Sequence, residues 1–208
     1  MTEIAIVRHP ETVANVQGRF VGRGDSEITE RGREQILALT ETMDAWRPGV
    51  VCSSPLGRAL ITAKAIVPCG TPVRVLGGLQ EIDFGRAEGL TWQEAVSAGI
   101  EVDYLRNGAA RTGAPSTERR GPENGRVAPG GETWDAFECR VLEAASLAET
   151  AGDRVAVVTH GGVFRVLLAH WLGVPMSSSW NFFVGNGAVA TLRVEDGTGV
   201  LLSLRQPE

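Results

Sequence analysis

The chain is expected to fold as an α/β protein with a mostly parallel central sheet and helices on both faces. Three observations predict this. Short, wholly apolar runs of strand length recur along the sequence, as in strands buried on both faces. Stretches with helical spacing separate them. Strands that alternate with helices build parallel sheets through right-handed crossovers. At 208 residues, with 43% hydrophobic and 22% charged, the chain suits one medium globular domain.

Each element can be justified in turn. Ile4-Ala5-Ile6-Val7 is the first buried strand. Thr29 to Trp46 sets Ile36, Leu37, Leu39 and Met43 among charges, an amphipathic helix stopped by Pro48 and Gly49. Val50-Val51-Cys52 is the second strand. Pro55 to Val67 is a helix, with Pro55 near its first position and Pro68 beyond its end. Val73 to Leu76 is a third short strand. From about residue 85 to 131 the rhythm breaks, with one short helix near Thr91 to Ala98 and three prolines between Gly113 and Gly130. This stretch reads as a partly mobile, cap-like insertion over the sheet, so residues 1–208 form a single domain. Helical spacing resumes at Thr133, with Trp134, Phe137, Val141, Leu142 and Ala145 on one face. Arg154 to Thr159 is a buried strand, and Val163 to Leu172 an apolar helix ended by Gly173 and Pro175. Phe182 to Val184, Val189 to Val194 and Val200 to Leu204 read as strands, the last two joined by an Asp196-Gly197 hairpin turn.

Composition excludes several roles. Lys plus Arg is 20 against 25 Asp plus Glu, a net charge of -5, which lacks the basic footprint of a nucleic-acid binder. A local basic pocket for a small anion is compatible with that balance. No apolar run approaches the roughly 18 residues that span a bilayer, and the N-terminus reads as a strand rather than a secretion signal. Cys52, Cys69 and Cys139 are odd in number and lack C-x-x-C spacing, so neither a zinc site nor a disulfide framework is expected. The expected compartment is the reducing cytoplasm.

Ligands of open α/β sheets bind beyond the carboxyl ends of the strands. The segments at those ends are Arg8-His9-Pro10-Glu11-Thr12, then Ser53-Ser54-Pro55-Leu56-Gly57-Arg58, then the stretch around Glu81, then Thr159-His160-Gly161-Gly162. One sheet edge thus collects two arginines, two histidines and a carboxylic acid. Alone, each has a bland role: a local hydrogen-bonding histidine, a solvated arginine, a surface acid. Together they suit phosphoryl transfer to water. Two guanidiniums neutralise and clamp a phosphate dianion. A neutral imidazole can attack phosphorus. The second histidine can donate to a phosphate oxygen, and a protonated carboxyl can supply the leaving alkoxide with its proton. The third histidine, His170, lies within the apolar helix and is assigned no role. No carboxylate cluster of the kind that holds paired metals is evident, and no cofactor is expected.

These segments also resemble a known family. Arg8-His9-Pro10-Glu11-Thr12-Val13-Ala14-Asn15 is similar to the first motif of the histidine phosphatase superfamily, also called phosphoglycerate mutase-like. The stretch Gly18 to Gly32 resembles that family's loop into its first helix. Ser53-Ser54-Pro55-Leu56-Gly57-Arg58-Ala59, Glu81-Ile82-Asp83-Phe84-Gly85 and Thr159-His160-Gly161-Gly162 resemble its later motifs, in the family's order. The resemblance implies a three-layer sandwich with a small cap. It implies His9 as the nucleophile that becomes phosphohistidine and Glu81 as the proton donor. Arg8, Arg58 and His160 would hold the phosphoryl group, with Asn15, Gly161, Gly22 and Arg23 also contacting substrate. One position departs from the pattern: Pro10 stands where the family usually has Gly. Proline removes an N–H and favours extended geometry at His9, but its carbonyl survives to orient an imidazole.

A phosphatase is expected over a mutase, because family mutases are longer and carry Asn where this chain has Gly162. Arg106, Arg111, Arg119, Arg120 and Arg126 match no mutase pattern. A module that binds phosphorylated ligands without turnover is the alternative from another class. The substrate is expected to be a small phosphomonoester. The Pro129-to-Thr133 segment and Trp180-Asn181-Phe182 resemble the α-ribazole phosphatase branch. Trp92 or Trp134 and nearby arginines could line its pocket. The oligomeric state stays open, a homodimer included.

Overall fold

The computed structural model describes residues 1–103 and 125–207. Twelve elements carry the fold: β1 (Thr2–Arg8), α1 (Val13–Val16), α2 (Glu30–Trp46), β2 (Val50–Ser53), α3 (Gly57–Ile66), β3 (Val73–Val75), α4 (Trp92–Ser97), α5 (Trp134–Glu149), β4 (Arg154–Thr159), α6 (Gly161–Leu172), β5 (Val189–Glu195) and β6 (Thr198–Arg205). The strands form one sheet in the order β3-β2-β4-β1-β5-β6. The first four are mutually parallel, whereas β5 and β6 are antiparallel additions.

Alternation along the central strands separates two apolar layers. Ile4, Ile6, Cys52, Val155 and Val157 meet Phe137 and Val141 of α5 and Phe164 and Leu167 of α6 on one face. Ala5, Val7, Val51, Ala156 and Val158 meet Leu39 and Met43 of α2 and Ala59, Ala63 and Ile66 of α3 on the other. Burial on both faces is why the middles of these strands lack polar residues. The expected α/β sandwich is therefore the observed fold. Thr29 caps α2 by accepting from the Gly32 N–H (3.0 Å), and Arg47 ends it in the left-handed region just before Pro48.

Some expectations change. Residues 182–184 form no strand. They come after a 3-10 segment (Met176–Asn181) and run as a loop, with Phe183 exposed. Their carbonyls serve side chains instead of a ladder: Val184 O accepts from Arg8 and Phe183 O from Gln206. Helix α6 begins at Gly161 rather than Val163, with His160 as its N-cap residue. Within the expected insertion, α4 forms with a capping box between Thr91 and Glu94. Arg106, Arg111, Arg119 and Arg120 lie outside the described residues, and Arg126 bonds the Gly131 carbonyl.

Candidate active site

Parallel pairing brings the motif residues together. Arg8 is in register with Thr159, so the next residues, His9 and His160, leave the sheet side by side. The His9 N–H donates to the Thr159 carbonyl at 2.9 Å, and the two imidazole centroids are 5.1 Å apart. Ser53 of β2 is in register with Val158, which sets Ser54 beside the same point.

The His9 Nδ1 lies 2.7 Å from the Pro10 carbonyl. A carbonyl only accepts, so Nδ1 carries the proton and Nε2 keeps its lone pair. The family's glycine is thus replaceable here, since the contact uses its carbonyl and not its N–H. Asn186 fixes this turn: its Nδ2 reaches the carbonyls of His9 and Pro10 (3.3 Å each) and the Asn15 Oδ1 (2.9 Å). Burial holds the His9 pKa well below the ordinary histidine value, helped by Arg58 and Arg8; the Pro10 bond opposes them weakly. The ring is therefore a neutral base at physiological pH.

His160 is fully buried, and its Nε2 lies 2.8 Å from the Ser54 hydroxyl. That oxygen also accepts from the Leu56 N–H at 3.3 Å. The assignment that gives both the Ser54 hydroxyl and Nε2 a partner has Ser54 donating to Nε2, which leaves the His160 proton on Nδ1. Nδ1 has no hydrogen-bond partner among the described residues. It is a preformed donor for an anion. Burial, then the Arg58, His9, Arg8 and Arg140 charges, also lowers the His160 pKa well below its usual value.

Arg58 lies in the first turn of α3 and is 2% exposed. It donates to the carbonyls of Gly24 and Gly22 at 2.7 Å each. Burial pulls its pKa down, while Glu81, Asp25 and Glu88 pull it up. Gly22 is needed for close approach, since a Cβ there would overlap the Ile82 carbonyl. Its N–H goes to the Glu88 carboxylate, so Gly22 holds Arg58 rather than offering a donor to substrate. Arg8 anchors on Val184 O at 2.6 Å.

Glu81 is 8% exposed and accepts one backbone N–H on each oxygen: Ile82 at 3.0 Å and Gly162 at 2.9 Å. Gly162 lies two residues after His160, so this bond ties the acid to the histidine pair. A Cβ on Gly162 would overlap Glu81 Oε1 and come within 3.2 Å of its carboxyl carbon. Arg140 holds the segment from behind. It donates to the carbonyls of Gly78, Gln80 and Glu81 (2.7–3.0 Å) and forks onto Glu132 at 2.7 and 2.8 Å.

His9, His160, Arg8, Arg58, Glu81 and Gly161 therefore converge. Asn15 adjoins them through Asn186, with its Oδ1 already accepting from Thr12. Arg23 does not join them: it faces Glu132 (3.5 Å) and Asp83 (3.9 Å). Trp134 lines a small cleft with Glu81, while Trp92 is half exposed beside Phe20. Sequence reasoning missed Ser54, Arg140, Arg165 and Asn186 as site residues. Arg165 alone had a signal, as the one arginine in α6, where His170 is the other polar side chain.

Residues 4–207 match the histidine phosphatase superfamily (branch 1), and the chain belongs to that family of phosphoryl-transfer enzymes. Among its relatives, a metal-independent phosphoserine phosphatase of Arabidopsis thaliana is 35% identical over 184 residues, covering 86% of this chain and 71% of that one. A protein of Salmonella paratyphi C described as a probable phosphoglycerate mutase is 31% identical over 178 residues, 84% and 77% of the two chains. The crystal structure of the α-ribazole phosphatase from Shigella flexneri superposes with a TM-score of 0.79 at 27% identity, over 99% of this chain and 96% of that one. Among the described residues, no helix is long and apolar enough to cross a membrane.

Proposed function

We propose that the protein hydrolyses a small phosphomonoester through a phosphohistidine on His9. One observation carries the reading: a neutral imidazole with Nδ1 tied to Pro10 O stands among two anchored arginines, a donor-bearing histidine and a carboxylic acid. In the first step the Nε2 lone pair forms a bond to phosphorus as the ester P–O bond breaks. Glu81 passes its proton to the departing alkoxide. In the second step water attacks phosphorus, Glu81 takes its proton, and the N–P bond breaks to release phosphate. Arg8, Arg58 and His160 Nδ1 neutralise the transferring group throughout, where preorganised donors in a dry site are most effective.

We favour hydrolysis over mutase action because Gly162 stands where the family's mutases tend to carry Asn. The mutase reading draws on the Salmonella relative. The substrate classes suggested by the relatives' names are phosphoserine, phosphoglycerate and α-ribazole phosphate. We assign the chain to one domain with a cap-like insertion at about 85–131, and to the cytoplasm on its cysteine pattern.

The test is rapid quench with p-nitrophenyl phosphate and mass analysis at neutral or alkaline pH. A phosphoryl adduct on His9 is expected, with turnover that persists in excess chelator. Unchanged turnover in His9→Ala overturns the assignment, and adduct formation without phosphate release would make the protein a phosphoryl carrier.

A further inference from the structure

Helix α2 sets Arg31, Gln35 and Leu39 on one line, each a turn beyond the last. Between that line and the ends of β5 and β6 lies a cavity of about 410 Å³, bounded there by Val189 and Arg205. The volume falls within the roughly 300–1,000 Å³ typical of small-molecule sites. Leu39 and Val189 are buried and give it an apolar floor, while both arginines are exposed at its rim. Its lining includes none of the catalytic residues.

The polar groups around it are donors without acceptors. Gln35 is 6% exposed, and its Oε1 accepts the Glu11 N–H at 2.8 Å, which settles the orientation of the amide. Its Nε2 makes no hydrogen bond among the described residues, yet it is not sealed from solvent, so it opens on the cavity that the side chain lines. Arg31 and Arg205 form no ion pair or hydrogen bond among the described residues, whereas Arg19, Arg140 and Arg154 each face a carboxylate. Glu34 is the one acid in the lining, so the cavity has one positive charge in excess.

We propose that this cavity is an effector site for a small organic anion with an apolar body. The Gln35 amide and the two guanidiniums take its carboxylate, and its skeleton rests on Leu39 and Val189. An occupant bears on the nucleophile from outside the catalytic site. Gln35 holds the N–H of Glu11, the residue after Pro10, whose carbonyl orients His9. Gly187 lines the same cavity and donates its N–H to the His9 carbonyl at 3.1 Å. Gln206, also in the lining, bonds the Phe183 carbonyl and the Gly185 N–H on either side of Val184, which anchors Arg8. The binding half of this inference does not depend on the reaction proposed at His9.

The probe is 2-naphthoate, with 2-naphthamide as its neutral counterpart, titrated into the isotope-labelled full chain and followed through amide resonances. A ligand of this size at ordinary efficiency saturates with a dissociation constant of about 1 mM. The Gln35 side-chain amide and the Glu11 backbone amide should move along one saturation curve. The neutral amide should bind about tenfold more weakly. Arg31→Gln and Arg205→Gln should each weaken 2-naphthoate by about three- to fivefold, the worth of an exposed ion pair, and together by about tenfold. Saturating 2-naphthoate should change kcat for p-nitrophenyl phosphate by at least about twofold in wild type and not in the double variant. Absence of saturable binding, equal affinity for the neutral amide, still resonances at Gln35 and Glu11, or undiminished binding by the double variant overturns the site. Saturation with an unchanged kcat overturns its effector role.

Discussion

Replacing Gly162 by alanine should disarm Glu81 while leaving the protein folded. The new Cβ would overlap the Glu81 Oε1 and come within 3.3 Å of Phe137 Cζ, so it has no second place to go. An ordinary carbon–oxygen contact requires the carboxyl to retreat by on the order of 1 Å. That retreat breaks the 2.9 Å bond from the Gly162 N–H. Losing that bond costs about 1 kcal/mol, and exchanging Gly for Ala in a helix returns up to about 1 kcal/mol. The thermal midpoint should then move by only about a few degrees. Catalysis should respond far more. A displacement of about 1 Å can cost about 10²-fold, within the 10²- to 10⁴-fold worth of a general acid. Alkyl phosphates, whose alkoxide needs the proton, should phosphorylate His9 roughly 10²- to 10³-fold more slowly. With p-nitrophenyl phosphate the loss should stay under about tenfold, because its leaving group needs little help. Single-turnover quench isolates this step from phosphohistidine breakdown, in which Glu81 is proposed to act as base. Retention of the alkyl phosphate rate, or equal losses for both esters, would refute the reasoning.

Two further predictions concern the histidine pair. Burial lowers both pKa values below that of an unfolded histidine, about 6.5. Below that pH the unfolded chain takes up protons that the folded one does not. Their stabilising effect is therefore complete above pH 6.5 and is lost as pH falls toward the folded values, at up to about 2.7 kcal/mol per pH unit for two protons. Urea melts between pH 7.5 and 5.5 in phosphate-free buffer should show this slope, and His9→Asn or His160→Asn should each reduce it; an unchanged slope in both would count against neutral buried rings. Ser54→Ala removes the hydroxyl that fixes the His160 tautomer and should lower kcat/KM by roughly tenfold. In a His160→Asn background the same change should add little, since the two act as one unit; full additivity would show that Ser54 acts elsewhere.

The sheet and its chemistry were legible because both depend on local pattern. Doubly buried strands such as Val155-Ala156-Val157-Val158 have no polar positions, and a parallel sheet delivers the residues after them to one edge. The convergence of Arg8, His9, Arg58 and His160 at that edge follows from it. The segment at 182–184 failed for the converse reason: three apolar residues resemble a strand, but Arg8 and Gln206 claim their carbonyls. Arg23 was misplaced because a loop arginine is read by its neighbours in sequence, whereas Asp83 and Glu132 decide where it goes. Asn186 and the clamp that Arg140 makes on the Glu81 segment were invisible because those partners lie 59 to 177 residues away. Nothing within a sequence window distinguishes them from surface residues.

The sheet order has a consequence for how the chain is made. β4 is the neighbour of both β1 and β2, and β5, the other neighbour of β1, is later still. On a ribosome moving at about 5–20 residues per second, the roughly 150 residues between Arg8 and Thr159 take about 8 to 30 s to appear. Until then Ile4 to Val7 has no strand to pair with, and β2 has only the short β3 at its side. The anion site cannot assemble by stages, because its two histidines meet across the β1–β4 seam. A nascent chain halted before Thr159 displays bare apolar strands, and even after β4 pairs with β1 the histidine turn waits for Val184 and Asn186 to hold Arg8 and the Pro10 carbonyl.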